Sequence, residues 1–178
     1  MAQRLARYPQ PNAPQIKVGD ANVEIDSIIS DIPQGSLSLA FLDPYGLHLN
    51  FNTVAKLATR RADLIIFFPD HLDALRNWEA IYKDRPNSNL DRFLGASDWR
   101  AVFETAPRNT WAEQLKDLYI TGLKRLDYVH FDYQRISRGD GVFLYRLIFA
   151  SKHIAGAKIW KNIALRDASG QNSLDFPL

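Results

Sequence analysis

Two short, almost unbroken apolar runs constrain this chain more than any other feature: Leu37 to Leu42 (LSLAFL) and Asp63 to Phe68 (DLIIFF). The first stops at Asp43-Pro44-Tyr45-Gly46, the second at Pro69-Asp70. Runs of this length without polar alternation read as strands covered on both faces and closed by turns. Between them, Asn50 or Asn52 can cap a helix through about Arg60, with Val54, Leu57 and Ala58 on one side. A strand, a helix and a strand within about 30 residues imply a parallel pair joined by a right-handed crossover.

The flanking sequence extends this unit. Ile16 to Val18 is a short apolar piece ending at Gly19-Asp20, and Val23 to Ile32 repeats apolar residues at 25, 28, 29 and 32 before Pro33 and Gly35 break the helical spacing. From His71 to Arg125 the pattern is helical. Leu72, Leu75, Trp78 and Tyr82 form one stripe; Trp111, Leu115, Leu118, Tyr119, Gly122 and Leu126 form another, which reads as core or as a base-stacking platform. Leu90 to Glu104 reads as a shorter helical excursion over the sheet edge, interrupted by Gly95 and Asp98-Trp99. Val129, Phe131 and Tyr133 then alternate with His130, Asp132 and Gln134, giving a strand with one wetter face. Turn chemistry at Ser137 to Gly141 and a strong strand from Val142 to Ala150 complete an antiparallel hairpin. A last helix is expected over about Ala155 to Leu165.

This divides the chain into an N-terminal segment 1–14, an α/β domain 15–166 and a polar tail 167–178. Parallel strands giving way to a terminal antiparallel hairpin are the layout of the Rossmann-like class I methyltransferase-type sheet. Fold alone does not establish chemistry.

Composition narrows the classes. With 178 residues, 46% hydrophobic and 12% aromatic, the chain can bury a real core, so intrinsic disorder is excluded. The absence of cysteine removes disulfides, a nucleophilic thiol and thiolate metal sites. No signal peptide or run of about 18 apolar residues is visible, so a cytoplasmic protein with no membrane contact is expected. Residues 1–90 carry 9 basic and 10 acidic groups and residues 91–178 carry 13 and 10. The C-terminal excess is mild, and nucleic acid is a possible partner on that ground alone. His48, His71, His130 and His153 lack metal-ligand spacing.

The strongest chemical candidate is Asp43-Pro44-Tyr45. In an open α/β sheet, ligands sit beyond the carboxyl ends of the strands, where Asp43 would accept a hydrogen bond from an amine or hydroxyl and Tyr45 would offer a stacking face. The same residues also serve simply to stop a strand and start a turn. His48, just beyond, could act there as acid or base, or face solvent. Ser151-Lys152-His153 could touch phosphate or cap the last helix, and Trp160 is open between core and site. Arg138-Gly139-Asp140 reads as the hairpin turn.

VGDAN (Val18 to Asn22), LAFLDPYGLHLNFNTVAKLA (Leu39 to Ala58), DLIIFFP (Asp63 to Pro69) and LIFASKHIAGAKIWKNI (Leu147 to Ile163) resemble, in order and spacing, the three-Cys-motif partner protein family. That family is similar to S-adenosylmethionine-dependent methyltransferases. The resemblance implies that Asp20 contacts the adenine amino group of S-adenosylmethionine, with Ala21 beside the ring. It also implies that Asp43, Pro44 and Tyr45 correspond to the aspartate-proline-proline-aromatic motif of amino-methylating nucleic-acid enzymes, here with one proline instead of two. The glycine-rich loop and the ribose-binding acid of the methyltransferase pattern have no counterpart before Asp20, so the chain is expected to lack the first strand-helix-strand portion and to bind cofactor weakly or not at all. In that arrangement Leu37 to Leu42 becomes an open edge, and a homodimer or a rearranged N-terminal segment is expected to cover it. Two functions compete: methyl transfer to an amine or hydroxyl by a complete domain, and a non-catalytic module working with a separately encoded protein partner.

Overall fold

A computed structural model describes residues 15–44, 46–68, 77–137 and 143–164. In chain order the elements are α1 (Ala21–Asp31), β1 (Leu37–Leu42), α2 (Phe51–Leu57), β2 (Arg61–Phe68), a π-helical turn (Trp78–Tyr82), α3 (Asn89–Leu94), α4 (Trp99–Thr105), a 3-10 turn (Arg108–Thr110), α5 (Trp111–Arg125), β3 (His130–Ser137), β4 (Phe143–Ser151) and α6 (Ile154–Ala164). The strands form one mixed sheet in the order β1-β2-β4-β3. β1 and β2 are parallel, with Leu37 opposite Arg61 and Leu42 opposite Ile66, as strands joined through a helix must be. β4 inserts between β2 and β3 and is antiparallel to both. The expected strand-helix-strand unit and closing hairpin are both present, and the molecule is a mixed α/β fold.

The core lies on one face of the sheet. Leu64, Ile66 and Phe68 of β2 and Ile148 and Ala150 of β4 are buried there with residues of α2, α3 and α5. Phe68 meets Phe93 of α3 and Tyr119 of α5 at ring-centroid distances of 5.5 and 5.2 Å. A second aromatic group sits behind it: Phe103 stacks on Trp111 at 4.5 Å, and Trp78 stands edge-on to Trp99 and Trp111. Such pairs add about 0.5–1.5 kcal/mol each beyond area burial.

Several expectations need correction. LSLAFL is not covered on both faces: Leu37, Leu39 and Phe41 are 78%, 62% and 59% exposed. The reason is positional, since β2 is the only strand beside β1 among the described residues and the helices of the core cover just one side. Leu90 to Glu104 forms two core helices and not an excursion over the edge; Phe93 stacks on Tyr119 at 5.0 Å and Trp99 is fully buried. Gly95 separates the two by taking φ +66°, a left-handed cap open to glycine. Trp111 and Tyr119 are buried core residues, which removes the base-stacking reading. Ile16 to Val18 is exposed and belongs to no strand. Segment 1–14, Pro69 to Leu75, the Arg138-Gly139-Asp140 turn and tail 167–178 lie outside the described residues.

Candidate functional site

Asp20 begins the site by beginning a helix. Its carboxylate Oδ1 accepts from the Asn22 backbone N–H at 2.8 Å, capping α1, and Ala21 is the first helical residue. Such a cap contributes about 1 kcal/mol. Oδ1 also accepts from Asn22 Nδ2 at 2.9 Å, while Oδ2 has no partner among the described residues.

Asn22 then ties this helix start to the segment beyond Asp43. Its Nδ2 donates to the His48 carbonyl at 2.9 Å, and its Oδ1 accepts from the Asn50 backbone N–H and the Thr53 hydroxyl, both at 2.8 Å. Asn50 occupies the N-cap position of α2 without a side-chain capping bond, and its backbone N–H donates to Asn22. At the other end of α1, the Ile29 carbonyl accepts from Arg60 Nη2 at 3.0 Å, just before β2 starts. α1 therefore runs back from the C-terminal end of β1 toward its N-terminal end, and the Asp20-Ala21 cap and Asp43 share one end of the sheet.

Asp43 is exposed there and makes no hydrogen bond or ion pair among the described residues, and Pro44 behind it is half-buried. Tyr45 lies outside the described residues. The segment is anchored from below by Phe51, the first residue of α2, whose ring fills the space that a Cβ at Gly95 or Gly122 would need; the clashes would be 2.7 and 2.8 Å. Two carboxylates at one strand end, one with an oxygen and one as a whole without a partner among the described residues, can receive two separate amine or hydroxyl donors.

Other candidates resolve structurally. His153 caps α6, its Nδ1 accepting from the Ala155 N–H at 3.1 Å. Lys152 Nζ donates to the Ala58 carbonyl at 2.8 Å and lies over the Tyr128 ring. Both sit at the N-terminal end of β2, away from Asp43. Trp160 stacks on Phe149 at 4.8 Å and donates from Nε1 to Asp132 at 2.6 Å. Among the described residues no three His, Asp or Glu side chains converge on a metal position. None of the described helices is long and apolar enough to cross a membrane.

Asn22, which ties the start of α1 to the segment beyond Asp43, is the site residue that sequence reasoning passed over. Its place two residues after a capping aspartate is legible; the partners 26 to 31 residues away are not. Comparison with protein-family models, curated proteins and solved structures finds no match for the chain.

Proposed function

We propose that the chain is a methyltransferase-like α/β domain of the three-Cys-motif partner type, with cofactor and acceptor meeting over the C-terminal end of β1. The observation that supports this reading is the pairing, at that end, of the Asp20-Ala21 helix start with the Asp43 carboxylate, which has no partner among the described residues. S-adenosylmethionine, when bound, would supply an electrophilic methyl group. On this reading Asp20 Oδ2 accepts from an exocyclic amine such as that of adenine, and Ala21 lies beside the ring. Asp43 accepts a hydrogen bond from the acceptor amine or hydroxyl, nucleic-acid bases included, and so aims its lone pair. Pro44 stiffens the turn, and Tyr45 supplies the stacking face. Their contribution is positioning, the largest share of catalysis available to a transfer of this kind.

The sequence holds no G-x-G-x-x-G loop to receive the carboxylate end of the cofactor, so binding by this chain should be weak. Calorimetric titration with S-adenosylmethionine should give small heats that vanish in Asp20→Ala and persist in Asp43→Ala. Heats unaffected by Asp20→Ala would remove the assignment. In an active enzyme with this turn, Asp43→Ala should abolish transfer with cofactor binding retained.

The second reading, a non-catalytic module for a protein partner, is favoured by the exposed apolar side chains of β1. Among the described residues no strand pairs with the outer edge of β1, and such an edge is a template for another strand. On this reading two copies pair through Leu37 to Leu42 as a homodimer. Sedimentation as a monomer at all concentrations would exclude that pairing.

A further inference from the structure

The side-chain amide of Asn22 uses its whole hydrogen-bonding capacity, two N–H donors and two lone pairs on one oxygen. Nδ2 donates to Asp20 Oδ1 and to the His48 carbonyl, both at 2.9 Å. Oδ1 accepts from the Asn50 backbone N–H and the Thr53 hydroxyl, both at 2.8 Å. The partners sort by kind, acceptors facing the nitrogen and donors facing the oxygen, so one orientation of the amide satisfies all four and the reverse satisfies none. Aspartate at this position would keep the oxygen side and set a carboxylate against the Asp20 carboxylate and a carbonyl. Leucine, of similar shape, would serve neither side.

Three of the four partners are fixed by other parts of the chain. Thr53 is buried in α2 at 2% exposure. Leu47 and Leu49, buried on either side of His48, pin the segment that follows Asp43 and Pro44. The Asn50 N–H precedes α2 and has no partner inside that helix, so Asn22 supplies one.

Asp20 is different. It is exposed, and among the described residues its carboxylate is held by Asn22 alone, Oδ1 accepting both from the backbone N–H at 2.8 Å and from Nδ2. Capping α1 needs only the backbone bond. The bond from Nδ2 is additional, and two bonds on one oxygen oppose rotation of the carboxylate and leave Oδ2 as its remaining acceptor.

We propose that Asn22 is the positioning residue of this site: it holds Asp20 so that Oδ2 offers one acceptor to a ligand N–H or O–H, and it locks that acceptor to the segment that carries Asp43. The ligand role of Asp20 rests on the cofactor reading above. The lock between α1 and residues 48–53 does not.

The test compares the full chain with Asn22→Ala, Asn22→Asp and Asp20→Ala. Two readouts need no ligand: three-bond couplings to Asp20 Cγ, which report its χ1 rotamer, and hydrogen exchange of the Asn50 amide. The parent should show one Asp20 rotamer and a protected Asn50 amide. Asn22→Ala should average the rotamer and speed Asn50 exchange by at least about tenfold, the worth of one hydrogen bond, with Leu64 and Ile66 of β2 as protected as before. Asn22→Asp keeps the oxygen side and loses the donor side, so it should release Asp20 and leave Asn50 protected. Asp20→Ala should leave Asn50 protected as well.

S-adenosylmethionine is then titrated against each chain and followed by amide spectra. Asn22→Asp should weaken binding by at least about tenfold with β2 and Asn50 protection intact, an effect that a purely structural role for Asn22 would not produce. A single Asp20 rotamer retained in Asn22→Ala, or parental affinity in Asn22→Asp, would overturn the proposal. A parent chain indifferent to S-adenosylmethionine, with Asp20 and Asn50 both released in Asn22→Ala, would remove the cofactor reading and uphold the lock.

Discussion

Two buried tyrosines show how differently one hydroxyl can bear on stability. Tyr128 donates its hydroxyl to the Ala62 carbonyl at 2.9 Å, linking the residue that follows α5 to β2. The Tyr119 hydroxyl is fully buried with no partner among the described residues. Burial pushes both phenols above their ordinary range. A satisfied buried hydrogen bond contributes about 0.5–1.5 kcal/mol, whereas an unsatisfied hydroxyl carries a desolvation cost of about 1–3 kcal/mol. Tyr119→Phe should therefore leave stability unchanged or raise it, and Tyr128→Phe should lower it by about 1 kcal/mol in urea denaturation. At the candidate site, Asn22 is the residue on which the arrangement turns, since three of its hydrogen bonds connect α1 with the segment after β1 and with the start of α2.

Among the elements, α2 and α3 are fitted to each other through Phe51. Its ring occupies the space beside Gly95 and Gly122, so a methyl at either position meets the ring and not solvent. Gly95→Ala adds the strain of φ +66° to the clash and should cost about 1–3 kcal/mol, read as a lowered urea midpoint with an unchanged slope. Much of this level was legible in advance. Apolar runs and turn residues located β1, β2 and the hairpin, and the Trp111-Leu115-Tyr119 spacing located the buried face of α5. What the runs could not convey was where the sheet ends. LSLAFL and DLIIFF look alike as strings, yet among the described residues β2 is flanked by two strands and β1 by one. Likewise Asp98-Trp99 reads as an interruption, although Trp99 is core because Asp91 accepts its indole N–H at 2.9 Å and Arg100 lies over its ring. Such pairings depend on three-dimensional neighbours, to which local periodicity is blind.

At the scale of the molecule, acid should unfold the chain through two carboxylates outside the candidate site. Burial would raise the Asp91 carboxyl, but hydrogen bonds from Arg100, Trp99 and Ser88 outweigh it and hold the group well below the usual carboxylate range. Hydrogen bonds from Arg146 and Lys116 bring Glu113 down to about 2. Both groups ionise more readily folded than unfolded, so their stabilisation is complete above the ordinary value of 4.5 for Glu113 and drains away as pH falls toward 2. The melting temperature should decline across that interval, less steeply in Glu113→Gln than in the parent; equal slopes would contradict the role of Glu113. The same sheet carries two separate exposed regions, the Asp43 end of β1 and the apolar side chains of Leu37, Leu39 and Phe41.

The most direct measurement is a titration of S-adenosylmethionine followed by amide nitrogen–proton correlation spectra of the labelled chain. Signals of Asp20, Ala21, Asn22, Asp43 and His48 should move together, with Leu39 and Ile159 unmoved and the whole response lost in Asp20→Ala. Shifts confined to the apolar face, or none at the Asp20 and Asp43 end at saturating ligand, would contradict the proposed cofactor site.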